Sequence, residues 1–285
     1  MKIIKVIERL KNDCGDLYFG KKITEATSRD QILYGDPNQE CTGIVTTCYP
    51  SIDVIEKAGQ AGFNFIVTHE AMFWNHGDHT EWLTENTAFQ KKEALLKKYN
   101  ICVWRNHDRI HAGILIDGKR IDGIFYGLSK MLGWNDYWTD PDTSFPQSYD
   151  IPEMSVAEMA EFLIQKFRLN GVRFIGNPDC KIKKVYVPMH ILGHASDNDV
   201  IKKMNDENIN CLITLEMVDF TVCEYMRDAG MLGEDRCIFA LGHFNTEEIG
   251  MEFYAEYLQE HVIKTLPVRF LQSGDTYTYI PKTQR

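Results

Sequence analysis

DVIEKAGQAGFNFIVTHEAM, running from Asp53 to Met72, reappears 146 residues later as DVIKKMNDENINCLITLEMV, from Asp199 to Val218, without a gap. Seven of the 20 paired positions are identical, including Thr68 with Thr214 and Glu70 with Glu216, where each hydrophobic run stops. Each copy reads as a helix followed by a short apolar strand, the pattern of a strand covered on both faces. The chain then repeats a second strand that ends in histidine: ICVWRNHDRIHAG (Ile101 to Gly113) and CIFALGHFNTEEIG (Cys237 to Gly250). Aligning His107 with His243 sets His111 opposite Glu247. A period this long, seen twice, is not a solenoid. It predicts an α/β protein of two similar α/β domains related by an internal repeat and facing one another.

Working outward, Ile3, Ile4, Val6, Ile7 and Leu10 recur at helical spacing and predict a helix over 3–12. Gly35, Asp36 and Pro37 force a turn before an apolar strand at 42–48. Ser51 is placed to cap a helix over 51–61 that Gly62 closes. A strand over 63–68, a helix over 83–99, a strand over 101–104 and a helix from Ile121 onward follow. Helix and strand alternating through short connections predict a mainly parallel sheet. Residues 134–152, WNDYWTDPDTSFPQSYDIP, are aromatic, proline-containing and aperiodic. They read as a linker between a first half (1–133) and a second half (153–285). Ser155 with Glu158 matches a capping box opening a helix to Phe167. Strands over 172–175, 183–187 and 211–214 should alternate with helices. PVRFLQSGDTYTYI is expected to form a hairpin turned at Ser273, Gly274 and Asp275.

The 285 residues, 44% of them hydrophobic, suffice for two medium domains. A formal net charge of −10 disfavours broad nucleic-acid binding, while leaving room for a local basic pocket that takes a phosphorylated small molecule. The eight cysteines form no C-x-x-C and read as reduced core residues. The start, MKIIKVIERLKNDCG, is charged every few residues, unlike a signal core, and no run of 18 apolar residues occurs. A soluble cytoplasmic protein without membrane contact is expected.

Sheets of this kind deliver chemistry at the C-terminal ends of parallel strands. Five candidates fall there: His69, Glu70, His111, His243 and Glu247. Imidazoles and carboxylates without a thiolate suit zinc, iron, manganese or nickel. One catalytic zinc takes about three protein ligands, so five fit two divalent ions better. Each residue also has a plainer reading. Glu247 and Glu248 could simply complement a helix dipole after Asn245. His76 and His79, in the polar loop FWNHGDHTEW with Asp78, could be solvated. His190 and His194 sit in a turn-like segment and could contact substrate. His107, His76 and His79 are the candidate catalytic proton carriers. No G-x-x-x-x-G-K-[ST], G-x-G-x-x-G or G-x-S-x-G is present, so a phosphate-cradling loop and a serine nucleophile lack support.

IVTHEAMFW, NHDRIHAG, LITLE and ALGHFNTEEIGM, in that order and followed by VRFLQSGDTYTYI, resemble the NIF3-like proteins, also called GTP cyclohydrolase 1 type 2 homologues. The likeness spans residues 5–280 and matches the short form, without an inserted domain. It implies a dinuclear metal centre between two α/β domains and a ring-shaped hexamer built from trimers. It also implies a small-molecule substrate, a nucleotide by the family's name, attacked by a metal-bridged hydroxide; the alternative is a metal-containing regulatory or binding protein without turnover. The family's first motif carries two consecutive histidines, and here Glu70 replaces the second. In the next motif His111 stands where the family has a ligand aspartate, with Asp108 as a substitute ligand. The third motif, Gly-His-x-x-x-Glu, is intact in Gly242, His243 and Glu247.

Overall fold

The computed structural model describes residues 1–141 and 143–280. The first elements are α1 (Ile3–Asp13), the hairpin β1 (Leu17–Tyr18) and β2 (Lys21–Lys22), β3 (Ile32–Tyr34) and β4 (Ile44–Thr47). They are followed by α2 (Ile52–Gln60), β5 (Phe65–Thr68), α3 (Thr87–Lys98), β6 (Cys102–Arg105), α4 (Asp108–His111), a second hairpin β7 (Ile114–Ile116) and β8 (Lys119–Ile121), and α5 (Gly123–Leu132). Next come β9 (Ser148–Ser155), α6 (Val156–Phe167), β10 (Arg173–Gly176), β11 (Lys181–Tyr186), β12 (His190–Ile191) and α7 (Asp197–Glu207). The chain continues through β13 (Cys211–Thr214), β14 (Glu216–Met217), α8 (Val222–Met231), β15 (Cys237–Ala240), α9 (His243–Tyr257) and β16 (Val268–Phe270).

These elements form two compact units, Met1–Leu128 with Glu248–Gly274, and Ser129–Glu247 with the residues from Asp275 on. The first unit holds a sheet ordered β16-β4-β5-β6-β3, parallel except for β3. Its strands β4, β5 and β6 are buried along their whole length, which is why their sequences run apolar instead of alternating. Ser51 caps α2 by accepting the Val54 N–H. The helix then turns Val54, Ile55 and Ala58 into a core with Ile66 and Val103.

The second unit's sheet runs β10-β15-β13-β11-β9, with β11, β13 and β15 parallel and both edges antiparallel. Met204 of α7 and Val222 and Met226 of α8 pack with Leu212 and Ile238 from the strands. In each unit three adjacent parallel strands are linked through two helices: β4, α2, β5, α3, β6 in one and β11, α7, β13, α8, β15 in the other.

Four expectations differ from the structure. The stretch 134–152 is not featureless. It contains a 3₁₀ turn at Asn135–Tyr137 and most of β9, with Trp134 packed on Tyr149 and Phe162 at 5.3 and 5.8 Å. The unit boundaries lie instead within α5 and α9, and Glu248–Gly274 belongs with the first unit. No helix separates β10 from β11.

The terminal hairpin is absent among the described residues, because its two arms find different partners. β16 pairs in parallel with β4, and Ser273 Oγ bonds Thr47 Oγ1 and accepts the Tyr49 N–H. Asp275 instead accepts the Asn170 N–H at 2.7 Å and an Asn245 amide N–H at 3.0 Å. All eight cysteines are buried. No helix among the described residues is long and apolar enough to cross a membrane.

Candidate metal centre

In the first unit β5 and β6 end side by side, Thr68 opposite Arg105, so the residues that follow each strand emerge together. His69 follows β5, while β6 leads through Asn106 and His107 into the single turn of α4, which ends at His111. The three imidazoles are buried and each can offer one nitrogen to a cluster within 4.8 Å. The rings of His69 and His107 stack at 4.7 Å, and His111 meets each of them edge-on at 4.9 Å.

Hydrogen bonds fix how these rings present themselves. His111 Nδ1–H donates to Asp122 Oδ2 at 2.7 Å. Asp122 is buried too, and its other oxygen accepts the Ile124 and Phe125 N–H groups at the start of α5. His69 Nδ1–H donates to the Asn106 carbonyl at 3.3 Å. With Nδ1 turned to its acceptor, each ring is left to present Nε2, the arrangement that outer carboxylates and carbonyls impose on metal-binding histidines.

His107 is held differently. Its Nδ1 lies 3.0 Å from Asp108 Oδ1, and Arg29 Nη1 approaches Nε2 at 3.2 Å. Burial pushes its pKa down to about 3, with His69 and His111 acting the same way against Asp108. The ring is neutral at physiological pH. Asp108 itself, the substitute ligand of the sequence reading, accepts the Arg29 N–H and pairs with that guanidinium, so its carboxylate is already engaged.

Glu70 is buried beside a charge that its own sequence neighbourhood does not advertise. Arg105, the last residue of β6 and fully buried, donates Nη2–H to Glu70 Oε2 at 2.8 Å. It also donates to the carbonyls of His69 and His76. A buried carboxylate needs such a partner to stay ionised. His76 and His79 remain exposed on the loop that follows. That loop is folded by Asp78 accepting the Met72 and Phe73 N–H groups and by Asn75 bonding His79. Neither histidine joins a ligand cluster among the described residues.

In the second unit β12 and β14 pair with His190 directly opposite Glu216, and α9 begins at His243 after β15. Glu216 Oε2 accepts His243 Nδ1–H at 2.5 Å while Oε1 lies 3.2 Å from His190 Nδ1. Burial alone would raise the Glu216 pKa, but the two histidines outweigh it and bring it down to about 2. One helical turn on, Glu247 Oε2 lies 3.2 Å from His243 Nε2, as i, i+4 spacing allows. His190, Glu216 and His243 form a second group able to hold an ion. His194 belongs to no ligand group among the described residues.

The donors suit a divalent metal on structural grounds: imidazoles whose Nδ1 faces a carboxylate or a carbonyl, and carboxylates beside them, most of them buried. The structure therefore adds Asp122 and Glu216 as orienting groups, Arg105 as the partner of Glu70, and His190 as a neighbour of His243.

Known proteins share the sequence family and the fold. A curated relative in Clostridium acetobutylicum, "GTP cyclohydrolase 1 type 2 homolog", is 22% identical over 220 residues, 76% of each chain. The crystal structure of Staphylococcus aureus protein SA1388 superposes with a TM-score of 0.68 at 16% identity, covering 98% of this chain and 99% of the other. A Bacillus cereus protein related to NIF3 gives 0.64 at 14% identity, covering 100% and 99%. These two superpositions show a shared fold. The Duf34/NIF3 (NGG1p interacting factor 3) profile matches residues 22–276, and the chain belongs to that family.

Proposed function

We propose that this protein is a metal-dependent hydrolase acting on a nucleotide or related small molecule, with His69, Glu70, His111, His243 and Glu247 holding two divalent ions per chain. The observation that carries this reading is a matched pair of carboxylate-held histidines. Asp122 takes the Nδ1 proton of His111, and Glu216 takes that of His243. Both rings then offer Nε2, and both pairs are inside the protein or at its partly covered surface.

A divalent ion at such residues acidifies bound water and polarises an electrophilic carbon or phosphorus. The chain's own groups do the rest. Arg105 pairs with Glu70 in a buried setting and holds its carboxylate in place. His107, pushed down to about 3, is not an imidazolium near neutrality, and its one N–H faces Asp108. A general acid or base works best with a pKa near the operating pH, so its part here is to accept a hydrogen bond from Arg29. The nucleotide class is taken from the name of the Clostridium acetobutylicum relative. Assembly into a hexamer belongs to the same proposal.

Incubating metal-loaded protein with a panel of nucleotides and phosphoesters, beside His243→Ala, tests the reading. Product from the wild type and a loss of about a hundredfold or more in the variant is expected. Equal rates would contradict it. Tight retention of a ligand with no product would make the protein a binding or regulatory one.

A further inference from the structure

A cavity of about 550 Å³ opens in the first unit between α1, the β1–β2 hairpin and α4. Four cationic side chains line it, Lys11, Lys22, Arg109 and Arg120, against a single carboxylate, Asp16. This concentration of positive charge stands out in a chain whose formal net charge is −10. We propose that the cavity is a binding site for a small molecule carrying a diphosphate or longer polyphosphate group, separate from the histidine clusters.

The charges are not spent on one another. Arg120 donates one nitrogen to the backbone carbonyls of Asp13 and Gly113, which orients the guanidinium, and the neighbouring Asp13 carboxylate offsets only part of its charge. Arg109 likewise donates to the Lys11 carbonyl and lies 3.9 Å from Asp30, whose oxygens already accept three backbone N–H groups. Lys11 meets Glu25 at 3.3 Å, but that glutamate is almost fully exposed, and such surface pairs are weak. Lys22 is exposed at the rim. Two guanidiniums fixed by backbone and two flexible ammoniums make a good match to phosphate oxygens, since planar forks bind them in pairs and lysines add point charge. The volume falls within the usual range for small-ligand sites, about 300–1,000 Å³. Leu17 and the buried Ile23 give an organic moiety an apolar wall.

The site has a physical route to the histidines. Arg109 belongs to the same single turn, α4, that carries His111, and Tyr18 of the hairpin stacks on the His111 ring at 5.8 Å. The proposal goes beyond the hydrolase reading and stands without it. Isothermal titration of the full chain with inorganic pyrophosphate tests it, comparing wild type with Lys22→Glu and Arg109→Gln. Expected are saturable binding by the wild type that weakens with added salt, and affinity lower by about tenfold or more in each variant. Lys22 is at the surface, so Lys22→Glu should fold and keep the wild-type metal content even if Arg109→Gln does not fold. No saturable binding by the wild type would overturn the proposal. So would pyrophosphate binding as tightly to Lys22→Glu as to wild type, which would place the anion elsewhere, at bound metal for instance.

Discussion

Asp122 lies 11 residues from His111 in sequence and 2.7 Å from its Nδ1 in space, and Glu216 stands in the same relation to His243 at 2.5 Å. Replacing Asp122 by Asn keeps an oxygen to accept the Ile124 and Phe125 N–H groups but removes the charge that fixes the imidazole. Asp122→Asn should therefore fold normally and lose about 10- to 100-fold in metal affinity, read by competition with a chromogenic chelator. Affinity equal to wild type would show that the carboxylate does not orient a ligand. Lys92 supplies a second prediction at this scale. It is buried, donates to the Met72 carbonyl at 2.8 Å and lies 4.5 Å from the centre of the Tyr49 ring. Burial lowers its pKa from 10.5 to about 7. Between those pH values the unfolded chain binds a proton that the folded chain has released, so this group makes stability rise with pH across that window and level off above it. Urea unfolding at pH 7 and pH 10 should show the wild type gaining on Lys92→Met as pH increases; parallel pH profiles would refute the assignment. The candidate ligands were legible in sequence because His69 and Glu70, and then His243, follow directly where apolar runs stop. Asp122, Arg105 and the bridging role of Glu216 were not, because each acts across a distance that only the folded chain defines.

α6 shows how fully a helix can be written in its own sequence. Ser155 and Glu158 form the reciprocal capping box, and the helix ends at Phe167, with Arg168 left-handed at φ 56°. Ser155→Ala should cost about 1 kcal/mol in urea unfolding. The close approach of α5 and α9 could not be read this way. A Cβ added at Gly250 would lie 2.6 Å from the Ile124 carbonyl oxygen, and one at Gly127 would lie 2.9 Å from the Gly250 Cα. Backbone cannot yield as a side chain does, so Gly250→Ala should destabilise by about 1–3 kcal/mol, and an unchanged urea midpoint would contradict the packing. Local signals had mixed fates elsewhere. Asp117 and Gly118, both at positive φ, turn β7 into β8, and the Asp-Gly pair is a hairpin signature legible in sequence. Ser273, Gly274 and Asp275 carry an equally good turn signature. There the long-range bonds of Asp275 to Asn170 and Asn245 decide the outcome instead.

At the scale of the molecule, the repeat that begins at Asp53 and Asp199 corresponds to the same order of helices and parallel strands in both units. The units are unequal in chemistry. One carries buried His69, His107 and His111, the other His190, Glu216 and His243. The division of the chain was less legible than the repeat, because Glu248–Gly274 joins the first unit through β16 and Thr46, whose hydroxyl donates to the Met251 carbonyl. Such a return leaves no mark in local composition. The proposed hexamer predicts a single species of that mass by light scattering, and a monomer at micromolar concentration would remove it. The assignment of these histidines and carboxylates as metal ligands is tested most directly by elemental analysis of protein purified without added metal. About two equivalents of a divalent transition metal per chain, reduced in both His111→Ala and His243→Ala, is the predicted result. Background metal in the wild type, or undiminished content in both variants, would contradict it.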